Sequence, residues 1–306
     1  MRALLRSLGC AVLATTIWGT TPAVSADDTT APETVGPLLY QDSMNVFRRF
    51  HVDAAKVFEF YGGVLGLEQL QTFNVGGGQQ VARFQIGSQQ VKFTARTPDR
   101  KYQPGGIKNA TGLRLLTFFF PDEATLSKRF TDHGLPAPAF KSVEGQTWTY
   151  AFVDDPDGQP VELVVIPNAS KETYESIEVG LTVSDMEASR AFYRSFVGLK
   201  ELPPARDPVL GTTVYAFRNG TTTINLRSFG ADLPADTGSG GIQYVVTKVD
   251  PVDAMAKARH VTIEQPLGEL KGFGLRTIWL DDPDGITNYF AETPESRKAQ
   301  AAGATQ

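Results

Sequence analysis

The sequence predicts an α+β protein in which one unit is written twice in tandem, each unit holding two βαβββ modules. Residues 60–67 (FYGGVLGL) recur as 192–199 (FYRSFVGL), 132 positions on. Residues 81–93 (VARFQIGSQQVKF) recur as 214–226 (VYAFRNGTTTINL), 133 positions on. Residues 154–158 (DDPDG) return unchanged as 281–285, 127 positions on. The order is constant and the drift small, so two homologous halves follow, 41–167 and 174–293. The polar run 168–173 reads as a linker. Residues 294–306, rich in Ala, Lys and Gln, read as a flexible tail or a short frayed helix.

Each half yields its elements in order. In the second, residues 178–183 alternate Val179, Leu181, Val183 with Glu178, Gly180, Thr182, a half-buried strand. Ser184 or Asp185 caps the next helix. Phe192, Tyr193, Phe196 and Val197 form its apolar stripe, and Gly198 ends it. Strands at 213–219 and 223–227 meet at Gly220-Thr221 as a hairpin. A strand (242–247), a helix (252–259) and two strands (275–280, 286–291) complete the half. The Asp-Pro-Asp-Gly turn separates those last two strands, because Pro presets φ and Gly supplies a positive one. The first half repeats this with strand 46–52, helix 54–65 and strands 80–86 and 91–95. It continues with strand 113–120, helix 123–132 and strands 148–153 and 161–166. The run Gly76-Gly77-Gly78 lacks a strand-to-helix context and reads as a hairpin or cavity-rim loop, not a phosphate cradle.

Composition narrows the function classes. The 306 residues carry 29 Lys+Arg against 34 Asp+Glu, for a formal charge of −5. That balance argues against a nucleic-acid binder, and no apolar run reaches the roughly 18–20 residues that span a bilayer. Residues 1–26 have the three parts of a cleaved signal peptide: Arg2 and Arg6, an apolar stretch from Leu8 to Trp18, and small residues at Val24-Ser25-Ala26. Ser7-Leu8-Gly9 before Cys10 fits lipidation poorly. Cleavage after Ala26 leaves 280 residues, a charge of −7 and no cysteine. Disulfides, thiolate nucleophiles and zinc–thiolate sites are then excluded. The expected location is periplasmic or secreted.

A helix ending in FY-x-x-V-L-G-L, followed later by DPDG and a Glu four residues on, resembles the vicinal oxygen chelate superfamily. That superfamily includes glyoxalases, bleomycin-type resistance proteins, extradiol dioxygenases, epimerases and fosfomycin-modifying enzymes. The resemblance covers nearly all of the mature chain as two tandem domains. It implies that paired modules curl each sheet around a cavity. It also implies a divalent metal held by residues on a domain's first, fifth and last strands. The first-strand position falls at Val46 and Glu178, the fifth-strand position near Arg114-Leu115 and within Gly241 to Gln243, and the last at Glu162 and Tyr289. No His occupies these places. Glu162 and Glu178, with Gln243, would face each other only in a site built between modules of different domains. Such an all-oxygen set suits Mg²⁺, Mn²⁺ or Ca²⁺ rather than Zn²⁺.

Glu162 lies in an apolar strand (PVELVVI), where a carboxylate is costly unless paired or facing a polar cavity. It is the expected catalytic base, sharing a proton with Glu178 if no metal binds. Arg48 is the candidate anion clamp, although Arg48-Arg49 breaks the alternation and a bulge decides which points inward. Tyr289 reads either as a hydrogen-bond donor to substrate or as core packing, and Gln243 as a substrate or ligand contact. His51 is ambiguous; His133 and His260 sit at the ends of second helices, where a cation suits the dipole. The resemblance implies a glyoxalase-like lyase or isomerase for an oxygenated small molecule. The alternative is a non-catalytic binder of the drug-sequestering type. The expected partner is a small molecule, without nucleic acid or membrane span, the chain being a monomer or homodimer.

Overall fold

A computed structural model describes residues 32–75, 79–95 and 99–303. The signal segment and Gly76-Gly77-Gly78 lie outside the described residues.

The first module comprises β1 (Asn45–Phe50), α1 (Ala54–Phe58, continued by a π-helical turn Glu59–Val64), β2 (Glu68–Val75), β3 (Gln79–Ile86) and β4 (Gln89–Ala95). The second comprises β5 (Gly112–Phe120), α2 (Glu123–Asp132), β6 (Lys141–Ser142), β7 (Thr149–Asp154) and β8 (Pro160–Val165). A four-residue helix, α3 (Lys171–Tyr174), links the halves. The third module has β9 (Ile177–Thr182), α4 (Met186–Ala191, continued by a π-helical turn Phe192–Val197), β10 (Lys200–Glu201), β11 (Ala205–Arg206), β12 (Thr213–Asn219) and β13 (Thr222–Arg227). The fourth has β14 (Gly240–Val246), α5 (Asp250–Ala258), β15 (Ile263–Leu270), β16 (Leu275–Asp281) and β17 (Thr287–Glu292). Residues read as a tail continue as α6 (Pro294–Gly303), anchored by the bond from Ser296 N–H to Thr293 Oγ1 and by Arg297, which donates to Gly274 O.

Both halves therefore carry the same elements in the same order, apart from the added two-residue strand β11 in the second. Asp53, Asp122 and Asp185 cap α1, α2 and α4 through their carboxylates. The two repeated FY pairs fall in the π turns, and Phe60, Tyr61, Phe192 and Tyr193 are all buried.

The modules pair across the halves. The first sheet runs β15-β16-β17-β14-β1-β4-β3-β2, so modules one and four share it. The second runs β10-β12-β13-β9-β5-β8-β7-β6, uniting modules two and three. Each junction is antiparallel, β1 with β14 and β5 with β9. Neither sheet closes by hydrogen bonds. In the first, however, Phe73 on β2 meets Phe273 in the β15–β16 turn at 5.2 Å between centroids, so opposite edges of the curled sheet touch. One apolar cluster joins both sheets: Tyr61 packs on Phe84 and Phe93 of the first and on Phe118 of the second.

The repeated motifs also bolt the sheets together. Tyr61 OH donates to Asp155 Oδ2 at 2.8 Å, and Tyr193 OH to Asp282 Oδ2 at 2.9 Å. In each turn the other carboxylate oxygen accepts two backbone N–H bonds, from Asp157 and Gln159 or from Asp284 and Ile286. The second acidic residue of each Asp-Pro-Asp-Gly turn reaches onward, Asp157 to His51 N–H and Asp284 to Ser184 N–H. His51 thus belongs to this anchor. His133 caps the end of α2 and pairs with Glu59 at 3.4 Å, while His260 takes a left-handed turn after α5.

Candidate functional site

Strand register brings a matching row of side chains to one face of each sheet. In the second sheet the row runs Phe152, Glu162, Thr117, Glu178, Thr223, Arg218, each the direct neighbour of the next. In the first it runs Trp279, Tyr289, Gln243, Asn45, Gln90, Gln85. Side chains of directly paired residues share a face, so each row lines one surface. The rows match place by place: Glu162 with Tyr289, Thr117 with Gln243, and Glu178 with Asn45.

This register corrects three sequence assignments. The first-strand position of the first half is Asn45, not Val46, because that half carries one extra residue between its row and the α1 cap. A one-residue slip exchanges the faces of a strand. Val46 and Phe50 consequently join the apolar cluster, and Phe47 and Arg49 line the cavity. Arg48 turns away from the cavity and is fully buried. Its Nη2 donates to Pro160 O at 3.2 Å and its Nη1 lies 3.6 Å from Asp155 Oδ2. It is the counter-charge of the anchored turn rather than a substrate clamp. The fifth-strand position of the first half is Thr117, three residues beyond Arg114, because β5 carries an irregularity between Leu113 and Leu115. Arg114 is buried against Asp236.

Glu162 and Glu178 flank Thr117 on one row, their Cα atoms roughly 9–10 Å apart by strand spacing. Glu162 is 8% exposed and its Oε2 accepts from Thr117 Oγ1 at 2.8 Å. Burial pushes its carboxyl up to about 7, against the Thr117 bond and the Arg227 charge; Glu178 adds to the rise. Glu178 is half-buried, its Oε2 accepts from Asn225 Nδ2 at 2.6 Å, and burial raises its carboxyl too. Arg227, two residues beyond Asn225 on the same face, is held by Asp207 through Nε at 2.9 Å and Nη2 at 2.8 Å. Its buried Nη1 has no hydrogen-bond partner among the described residues. That nitrogen lies against Gly180, where a Cβ would approach it to 3.2 Å. Gly180 is two residues from Glu178 on the same face, and the Arg227 charge acts on both carboxyl groups. Sequence reading missed Thr117, Asn225 and Arg227. The signal for the last two was available, since β13 alternates Thr223, Asn225, Arg227 against Ile224 and Leu226.

The donor set does not fit the family's metal. The row supplies two carboxylates and a hydroxyl, both carboxylates already accept a side-chain hydrogen bond, and the Arg227 charge acts on both. Among the described residues no group of three or more His, Cys, Asp or Glu is placed to hold a metal ion.

Gln243 and Tyr289 stand on the other sheet, so the structure separates them from the carboxylates. They line a cavity of ≈ 490 Å³ to which all eight strands of the first sheet contribute. Gln243 Oε1 accepts from Lys92 Nζ at 2.5 Å. Burial lowers the Lys92 ammonium to about 8, with Arg83 adding to the effect. Burial likewise lowers Arg49 to about 10 and raises the Tyr289 phenol.

Paired βαβββ modules around two concave faces, one bearing carboxylates at family ligand positions, define a class of small-molecule proteins. The family model described as Glyoxalase/Bleomycin resistance protein/Dioxygenase superfamily matches residues 43–163 and 177–290, and the chain belongs to this superfamily. No curated protein matches it in sequence. Glyoxalase I from Zea mays is similar in structure, with 20% identity, 85% of this chain and 96% of that one covered, and a TM-score of 0.66. A putative dioxygenase from Bacillus subtilis subsp. subtilis str. 168 has 15% identity, coverages of 86% and 87%, and a TM-score of 0.60. At such identities the likeness is one of fold.

Proposed function

We propose that this protein is an enzyme of the lyase or isomerase type that moves a proton on an oxygenated small molecule, with Glu162 as the base. The observation that carries this reading is the row Glu162–Thr117–Glu178 on one face of the second sheet, with the Arg227 charge acting on both carboxyl groups. A carboxylate near 7 is half ionised at neutral pH and matched to taking a proton from carbon. The substrate class is a carbonyl compound with a C–H beside the carbonyl. Glu162 removes that proton, and its pair of electrons moves toward the carbonyl oxygen. The positive charge of Arg227 stabilises the oxyanion as it forms. In an α-hydroxycarbonyl substrate, Glu178, held by Asn225, relays the hydroxyl proton of the enediolate to that oxyanion, and Glu162 returns its own proton to the former carbonyl carbon, which restores both carboxyl groups. No metal enters these steps, and turnover is expected to survive exhaustive treatment with a chelator.

The test is turnover of candidate α-hydroxycarbonyl and 2-oxo compounds by the wild type and Glu162→Gln. The variant is expected to lose about 10²–10⁴-fold in kcat/KM. Equal rates in both would overturn the assignment. Binding of the same compounds without any turnover in the wild type would favour sequestration instead.

We further propose that the chain is exported and that cleavage leaves Asp27 first. The support is the composition of residues 1–26. Intact-mass measurement of the exported fraction tests it, and a chain retaining Met1 there would argue for an anchor.

A further inference from the structure

The first sheet carries a site of opposite chemistry. At its row the carboxylates of the second sheet are replaced by Tyr289 and Asn45, and two cations face the same cavity, Arg49 from β1 and Lys92 from β4. Among the described residues neither makes an ion pair. Lys92 gives one proton to Gln243 Oε1, which fixes the direction of its ammonium and leaves its other donors free. Arg49 is buried; among the described residues its guanidinium donates only to Thr237 O, at 3.5 Å, and lies 5.3 Å from the centroid of the Phe47 ring. The third cation at the cavity, Arg100, is already neutralised by Glu264 at 2.5 Å and Asp281 at 3.4 Å. The remaining acid, Asp99, is exposed at the rim.

The walls are apolar and aromatic. Trp279 stacks obliquely on Tyr289 at 4.9 Å and on Phe47 at 6.4 Å, and the Phe73–Phe273 pair closes the far side. Two cations that make no ion pair among the described residues are costly in such walls, although Glu264, Asp236 and Asp281 act on Arg49 from a distance, and a bound anion offsets that cost. Flat ring walls select a flat apolar body. A volume of ≈ 490 Å³ lies in the range of small-ligand cavities.

We infer that the cavity of the first sheet binds an aromatic monocarboxylate, its carboxylate between Lys92 and Arg49 and its ring system along Trp279 and Tyr289. This inference does not rest on the proposed chemistry at Glu162, because the two sites occupy different sheets.

The experiment is calorimetric titration of the full chain with 2-naphthoate and, separately, with its neutral isostere 2-naphthamide, with Trp279 fluorescence as a second readout. The wild type is expected to prefer naphthoate by about ten-fold or more, the effect of one charge-assisted contact. Lys92→Met should lower naphthoate affinity about ten-fold and leave naphthamide binding within about three-fold. Lys92→Arg keeps the charge and should keep the preference for the anion. Thermal melts of both variants confirm folding, and Lys92→Met is expected to melt no lower than the wild type because it removes a buried charge. Equal affinity for the acid and the amide, or no binding of naphthoate at millimolar concentration, would overturn the inference. So would a folded Lys92→Met that binds naphthoate as tightly as the wild type.

Discussion

Two copies of one row differ at every matched place, and at one of them Glu162 stands in one sheet and Tyr289 in the other. Only the carboxylate ionises near neutrality, since burial raises the phenol still further from its ordinary value. The base form of Glu162 grows as pH rises, so kcat/KM should climb through about pH 7, and a flat profile would remove Glu162 from the reaction. Stability has the opposite sign. A carboxyl raised in the folded state holds a proton that the unfolded chain releases, so wild-type stability declines as pH rises from its ordinary range to about 7. Glu162→Gln lacks that loss. The variant should therefore gain about 1–3 kcal/mol over the wild type at pH 8 and little at pH 4, read from urea midpoints at both values. Tyr289→Phe lies on the other sheet and should change turnover by less than about three-fold, the small effect expected of a remote substitution. A dead Tyr289→Phe beside an active Glu162→Gln would move the site.

At the scale of elements, the FY helix and the DPDG turn form one device used twice, a phenol donating to the first carboxylate of the turn across the two sheets. Tyr61→Phe and Tyr193→Phe each strip a donor from a buried carboxylate while keeping the ring. Each should cost about 1–3 kcal/mol in chemical denaturation, and a neutral result would mean that the backbone N–H bonds alone hold the turn. These elements were legible because repetition marks them. The edge strands were not. β6, β10 and β11 have two residues each. β2 breaks its alternation at an irregularity between Leu70 and Phe73, and β15 carries Pro266, Gly268 and two register shifts. At the site, Glu162 and Glu178 could be read because a carboxylate in an apolar pattern stands out. Arg49 could not be separated from Arg48, because the inserted residue before α1 is invisible without the pairing. Nor does a repeat reveal which module pairs with which, since all four carry the same pattern.

At the scale of the whole molecule, each sheet takes one module from each half, so neither half contains a complete sheet. Residues 32–170 expressed alone should show no cooperative thermal transition as a monomer, or should pair with a second copy. Mixed with residues 171–306 they should restore a one-to-one complex, as judged by size-exclusion chromatography with light scattering. A first half that melts cooperatively as a monomer would contradict the observed pairing.

The same arrangement sets an order of events in time. Thr117 meets Glu178 across 61 positions of chain, whereas Asn45 meets Gln243 across 198. The middle sheet can zip from neighbours, while the outer one must wait until the last module exists. Long closures slow folding far more than they weaken the final state. Pulse-labelled hydrogen exchange during refolding should protect β5 and β9 before β1 and β14. The acidic face would then be assembled while the cationic cavity is still an open ribbon, and the strand that completes that cavity would also be the one that commits the chain to its native topology.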